Sequence, residues 1–218
     1  MFLKFLAVGW SGSFVLSHGN SPHYGELGRS VRFVQHFWGA SDRDSIVNRT
    51  YSLLVNAIWA ESIRENSETS LDQLEKSIPL GFIELSAQEK EFLHSSKPNH
   101  QEVIDALWKY EGINVFLWVL GLTDSLSLPN KVCSVPELVS MLLDSQDQVM
   151  NGTMRSPADI LDAIDFNRCL HWHVVEARSK QRPIPDELDE GVIMERSYAF
   201  NWLINYWGQD WDNTFVST

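Results

Sequence analysis

Apolar residues recur every three or four positions along three long stretches of the chain, which is the spacing of one face of an α-helix. These stretches are Gln101–Leu122, Ser156–Arg178 and Gly191–Tyr206, and a Pro-rich connection, Gln181–Gly191, separates the last two. Alternating patterns typical of strands are scarce. The pattern therefore predicts an all-α protein, a single-domain helical bundle with short connecting helices over residues 41–218.

Shorter helices are predicted from composition and from capping signals. Ser45–Glu65 carries apolar residues at helical spacing, and Ser70 is a plausible N-cap for a short helix that ends at Ser77. A Ser followed three residues later by an acidic residue occurs at Ser86, Ser134 and Ser156. This spacing is that of a capping box, so we expect a helix to begin after each of the three serines.

The first 40 residues form a poorly defined N-terminal segment. Phe2–Val8 is compatible with an edge strand or a docked extended segment, and residues 17–30 are rich in loop-forming residues. The apolar start with Lys4 is superficially similar to a signal peptide. Glycine and serine residues interrupt the apolar run, however, and no small-residue cleavage site follows. We therefore expect a soluble cytoplasmic protein.

Composition and charge narrow the classes of partner. The chain has 218 residues and a formal net charge of −12, which argues against nucleic-acid and anionic membrane surfaces because both require clustered Lys and Arg. The two cysteines, Cys133 and Cys169, form no metal or redox spacing and indicate a reduced compartment. Nine tryptophans are present. We expect those of the three long helices to lie in the core.

Each of the three long helices carries a charged residue inside its apolar stripe. Glu111 lies at the centre of the first stripe, Arg168 at the centre of the second, and Glu195 near the start of the third. A buried charge without a partner costs several kcal/mol. We therefore predict a buried cluster in which the Arg168 guanidinium contacts one or both carboxylates, with His171 and Arg196 close enough to balance the second.

Two interpretations of this cluster remain open. In the first, the cluster is a structural ion-pair network that fixes how the helices pack. In the second, it lines a polar pocket where Glu111 or Glu195 acts as a general base. Ser or Cys nucleophile chemistry, phosphate-binding loops and dinucleotide-binding loops have no supporting motif in the sequence.

A metal site is not predicted. His171 and His173 point about 200° apart on a helix, so they cannot bind one ion from the same helix. His173 and Glu176 can share a face, but two ligands do not make a metal site. We expect no metal and no cofactor.

Several motifs resemble those of the domain-of-unknown-function family 4272. The matching stretches are Trp108–Glu111 with Phe116–Gly121, Ile160–Asp165 with Arg168, His171-Trp172 and Ala177-Arg178, Gly191–Leu203, and the closing Trp211-Asp212. Together they cover about residues 45–218. The resemblance implies a mainly helical bacterial protein, and the family is named for having no known activity. It also implies that Glu111, Arg168, His171, Glu195 and Arg196 belong to the family's pattern.

The missing catalytic motifs, the net charge of −12 and the helical fold together predict a non-enzymatic, protein-binding role, adaptor- or immunity-like. This role would use an acidic, Trp-rich surface. We expect a protein partner, with neither nucleic acid nor membrane as a ligand. The alternative is an enzyme or a small-molecule binder whose polar pocket is lined by Glu111, Arg168, His171, Glu195 and Arg196.

Overall fold

A computed structural model describes residues 42–185, 187–205 and 208–216. Within these ranges the chain forms eight α-helices and one short 3₁₀ helix, without a strand, which confirms the all-α prediction. The α-helices are α1 (Arg43–Arg64), α2 (Leu71–Ser77), α3 (Ala87–His94), α4 (His100–Val119), α5 (Val135–Asp144), α6 (Gln146–Asn151), α7 (Pro157–Ser179) and α8 (Glu190–Leu203). The 3₁₀ helix, Pro79–Phe82, lies between α2 and α3. The predictions for residues 1–40 fall outside the described residues.

Helix α4 is the centre of the bundle. Its C-terminal half, from Val115 to Leu120, is buried on every side, and a helix that is apolar all round must be surrounded by protein. α1 packs along α4, α8 packs against α4 as well, and α7 packs against α8. The 3₁₀ helix packs closely on α1: a Cβ atom at Gly81 would lie 2.3 Å from Cγ2 of Val55. Only glycine fits this approach without a shift of the backbone or of Val55.

Local capping signals identified four helix starts correctly, because helices begin directly after Ser70, Ser86, Ser134 and Ser156. Ser70 and Ser86 each form a complete capping box, in which the hydroxyl accepts from a backbone N–H three residues on and that residue's side chain accepts from the serine N–H. Asn99 forms a third, unpredicted box before α4. At Ser156 the hydroxyl accepts from the Asp159 N–H, whereas the capping hydrogen bond predicted at Ser134 is absent, although α5 begins there with Pro136 in its first turn.

The C-terminal segment is held by aromatic packing. Trp211 is buried, with its ring 6.3 Å from that of Phe116, 4.9 Å from that of Tyr198 and 5.8 Å from that of Trp202, measured between centroids. The Tyr198 hydroxyl donates to the Trp211 carbonyl. Trp211 therefore fixes the C-terminal segment against the helices. The expectation that all tryptophans of the long helices are core residues is wrong, since Trp172 is 65% exposed.

The buried face of α7 differs from the predicted stripe. Its buried residues are Ile160, Ile164, Asn167, Val174 and Ala177. The centre of this buried face is rotated by roughly 100° about the helix axis from the predicted stripe centred on Arg168, which is the angle between two successive residues. The polar Asn167 is accommodated because its Nδ2 donates to the Ser197 hydroxyl at 2.8 Å and to the Ile193 carbonyl at 3.2 Å.

In the part of the chain that the structure describes, none of the helices combines the length and the apolar character that crossing a bilayer requires.

Candidate functional site

A buried ion pair between Glu111 and Arg196 joins α4 to α8. Arg196 Nε donates to Glu111 Oε2 at 3.3 Å, and the two residues are only 1% and 2% exposed. Both also hold the connection between α4 and α5: Arg196 Nη1 donates to the Ser127 carbonyl, and Glu111 Oε1 accepts from the Cys133 N–H, each at 2.5 Å. This network anchors one long loop to two core helices.

The predicted partner of Glu111 was Arg168, and that prediction is wrong. Arg168 lies on the exposed side of α7. The buried guanidinium that contacts Glu111 is that of Arg196, which the sequence placed only beside the apolar stripe. The buried position of Glu111 itself is confirmed.

Glu195, the other predicted carboxylate, is half-buried on α8. Burial raises its pKa to about 7, the Lys109 charge opposes this shift, and the charges of Asp105 and Glu111 add to it. A carboxyl whose pKa is higher in the folded than in the unfolded state binds protons more tightly when folded. The protein therefore loses stability as the pH rises from about 4.5 through about 7, where Glu195 ionises.

His171 is half-buried on α7, whereas His173 is exposed. Burial lowers the pKa of His171, and the charge of Glu190 opposes this shift. The charge that acts on His171 is that of Glu190, and neither Glu111 nor Glu195 forms an ion pair with it. Across the described residues, His, Cys, Asp and Glu side chains do not assemble into a group of three suited to a metal ion.

Cys133 lies beside the ion pair but is a poor nucleophile. Burial raises the pKa of its thiol far above the usual value, and the Glu111 carboxylate adds to this effect, while the Arg196 charge opposes it. Because the thiolate is the reactive form, the thiol stays protonated and inert at neutral pH.

A cavity of about 370 Å³, the Arg196 cavity, opens beside the ion pair. Its lining residues are Trp118, Asp124, Ser125, Leu126, Ser127, Pro129, Arg155, Asp159, Asp162, Ala163, Phe166, Asn167 and Arg196. Three of these lining residues are buried, namely Trp118, Asn167 and Arg196. Nη2 of Arg196 is buried and makes no hydrogen bond to any residue that the structure describes.

Arg155 shapes the wall of the Arg196 cavity. Its guanidinium donates to the carbonyls of Trp118, Thr123 and Asp124 and lies 4.8 Å from the ring centroid of Trp118. Through these hydrogen bonds Arg155 holds the start of the α4–α5 connection in place. The remaining charges on the wall are the carboxylates of Asp124, Asp159 and Asp162.

A second cavity, the Glu89 cavity, has a volume of about 500 Å³. It is lined by Asn56, Gln88, Glu89, Glu91, Phe92, Ser95, Glu102, Asp105, Ala106, Lys109, Tyr198, Trp211 and Asp212. Glu89 is buried and forms an ion pair with buried Arg49 of α1 at 2.7 Å. The sequence identified Glu89 only as part of a capping box, and nothing in the local pattern showed that α1 would supply an arginine to it.

The fold and these polar groups define a helical protein with an ion-paired interior and two cavities lined by carboxylates. The chain belongs to the DUF4272 family, described as a domain of unknown function, whose family model matches residues 40–214. This match confirms the resemblance found in the sequence motifs and assigns no activity. Neither the curated proteins nor the solved structures gave a match.

Proposed function

We propose that this protein acts by binding another protein, in an adaptor- or immunity-like role, rather than by catalysis. The observation that carries the proposal is the outer face of α7, where Trp172 is 65% exposed and Phe166 is 49% exposed. Aromatic side chains are enriched among the residues that dominate protein–protein binding energy. Exposing two of them on one helix favours an interaction surface.

The charge around this face favours a basic partner. Asp159 and Asp162 precede Phe166 by seven and four residues, close to two turns and one turn of helix, so the three side chains share one side of α7. Asp159 and Asp162 are exposed, and the whole chain carries a net charge of −12. Complementary charge mainly accelerates association and selects the partner, while the aromatic anchors supply most of the affinity.

The hydrogen bonds made by Glu111 support a binding role over catalysis. Both oxygens of Glu111 accept a hydrogen bond, one from Arg196 and one from the Cys133 N–H. A general base requires an oxygen that can reach a substrate proton. A carboxylate that is occupied on both oxygens and 1% exposed does not meet this requirement.

The proposal is tested by capture from the native host. Immobilised wild type is compared with a Phe166→Ala/Trp172→Ala variant and with Ile83→Ala, a control that truncates an apolar side chain of similar exposure, 59%, outside α7. We expect proteins retained by wild type and Ile83→Ala but lost with the α7 variant. A purified partner should then bind in calorimetry with an affinity that falls as salt rises. Failure to retain any protein above background, together with a ligand found in a metabolite screen, would overturn the proposal.

One observation favours a second candidate, a small-molecule binder. The Arg196 cavity of about 370 Å³ is within the size range of small-molecule sites and reaches a buried guanidinium nitrogen that lacks a partner among the described residues. A thermal-shift screen of metabolites distinguishes the two functions. A ligand of this cavity should stabilise wild type, and the stabilisation should be lost in Phe166→Ala, whose side chain lines the cavity.

A further inference from the structure

Two residues that line the Glu89 cavity, Asn56 and Glu89, each carry a buried acceptor atom that lacks a donor. Asn56 is fully buried in α1; its Nδ2 donates to the Ser52 carbonyl at 2.8 Å, which fixes the amide orientation and leaves Oδ1 as the free acceptor. Glu89 is 3% exposed and uses Oε2 for Arg49 and for the Ser86 N–H. Neither Asn56 Oδ1 nor Glu89 Oε1 accepts a hydrogen bond from the residues that the structure describes.

Unsatisfied buried acceptors carry a cost, since each loses its water without gaining a donor. The Lys109 ammonium lies 3.7 Å from Glu89 Oε1, which is an ion-pair distance but too long for a hydrogen bond. Two side chains from different helices, α1 and α3, thus present acceptors to the same cavity. A ligand with N–H donors would satisfy both.

The charge of the cavity determines whether that ligand is a cation or an anion. Five carboxylates line it, those of Glu89, Glu91, Glu102, Asp105 and Asp212, against one ammonium, that of Lys109. Arg49 approaches Glu89 from α1 and offsets part of this charge. An excess of carboxylates remains, so an anionic ligand is repelled and a cation is attracted.

The aromatic wall of the cavity already binds cations. The guanidinium carbon of Arg49 lies 5.1 Å from the ring centroid of Trp211, and the Lys109 ammonium lies 5.5 Å from it. Tyr198 and Phe92 add further aromatic surface to the lining. Aromatic rings next to carboxylates are the combination that recognises organic cations. A metal ion is a poorer fit, because no three His, Cys, Asp or Glu side chains in the described chain are arranged as ligands.

We propose that the Glu89 cavity binds an organic cation with N–H donors, a guanidinium or a primary ammonium group. The cation lies against the carboxylates of Asp105 and Asp212 and donates to Asn56 Oδ1 and Glu89 Oε1. The site goes beyond the proposed protein-binding role, because it shares no lining residue with the Arg196 cavity and none with the exposed face of α7.

The proposal is tested by calorimetric titration of the full-length protein with matched probes. Nα-acetyl-arginine methylamide represents a side chain of a partner protein, and agmatine represents a free amine-bearing molecule. Nα-acetyl-citrulline methylamide has nearly the same shape without the charge. We expect at least one cationic probe to bind about ten-fold more tightly than the citrulline compound, because the charge is the feature that the carboxylates recognise. Preference for the capped arginine assigns the cation to a protein, and preference for agmatine assigns it to a free molecule.

Variants locate the binding to this cavity. Asp105→Asn and Asp212→Asn remove one charge each and keep an oxygen that can accept the existing hydrogen bonds from Gln101 and from the Gln88 N–H. Each should weaken binding of the cationic probe by about three-fold, the scale of an exposed ion pair. Asp147→Asn, an exposed charge on α6 that lines neither cavity, should leave it unchanged.

Asn56→Leu tests the buried acceptor directly. Leucine has a similar shape, and removing an unsatisfied acceptor should preserve folding, as judged by the far-UV circular dichroism. We expect folded Asn56→Leu to lose most of the affinity for the cationic probe. The proposal is overturned if neither cationic probe binds at millimolar concentration, if the citrulline compound binds equally well, or if all three cavity variants bind like wild type.

Discussion

Replacing Arg196 by Met removes the only guanidinium that the described structure places against Glu111. Methionine fills a similar volume without the charge, so the change tests the ion pair more than the packing. Glu111 is 1% exposed and keeps a single hydrogen bond, from the Cys133 N–H. The variant therefore leaves a buried carboxylate without a counter-charge and frees the Ser127 carbonyl from α8.

The expected loss follows from that burial. Breaking a buried ion pair by removing one partner costs about 3–5 kcal/mol, whereas a substitution on the surface changes stability by about 0.5 kcal/mol or less. Arg196→Met should fall in the first class. Arg168→Met should cost about 1 kcal/mol or less, because Arg168 lies on the exposed side of α7 and the interactions of exposed charges contribute at most about that much. The sequence pattern had instead placed the Arg168 guanidinium against the carboxylates.

Urea unfolding followed by tryptophan fluorescence and circular dichroism measures both changes. The double variant Glu111→Leu/Arg196→Met gives the coupling energy, which we expect to be about 2 kcal/mol or more because each single change strands a charge that the double change removes. Arg196→Lys, which keeps a charge near Glu111, should recover part of the loss. A cost below about 1 kcal/mol for Arg196→Met, or a larger cost for Arg168→Met, would refute this account of the core.

Three further predictions follow from single residues. The first concerns Glu195, whose pKa is raised to about 7. As the pH rises from about 5 to about 8, wild type should lose about 2 kcal/mol of unfolding free energy relative to the Glu195→Gln variant. Parallel pH profiles of the two proteins would contradict the burial of the Glu195 carboxyl. Iodoacetamide should label Cys169, which is exposed, in the folded protein and reach Cys133 only on unfolding, as mass spectrometry of tryptic peptides can show; rapid labelling of both would contradict this. Gly81→Ala should destabilise the protein by about 1–3 kcal/mol in urea unfolding, because its Cβ would lie 2.3 Å from Val55 Cγ2, and an unchanged midpoint would contradict that close approach.

Features that depend on neighbours in the sequence could be predicted. The capping boxes at Ser70 and Ser86 need only a residue and its neighbour three positions on, so the sequence specifies both partners. The burial of Glu111 could also be predicted, because apolar residues surround it on α4 and leave that helix few exposed sides.

Features that depend on how one helix is rotated against another could not be predicted. On α7 the face that includes Asn167 and the face that includes Arg168 both contain apolar residues, and the apolar Trp172 favoured the wrong one. Packing against α8 decided between them, since Ser197 and the Ile193 carbonyl satisfy Asn167. A hydrogen bond between residues that are 30 positions apart cannot be predicted from a local sequence pattern.

The sequence by itself determined the helical class, most helix starts, the family and the presence of a carboxylate in the core. The tertiary structure decided which arginine meets that carboxylate, paired Arg49 with Glu89, and brought Asn56 and Glu89 to the lining of a cavity that no motif marks. The physical reason is the range of the interactions. Helical period and capping act over a few residues, whereas ion pairs and cavities arise where distant helices meet, and the angle of each meeting is set by the packing of the whole core.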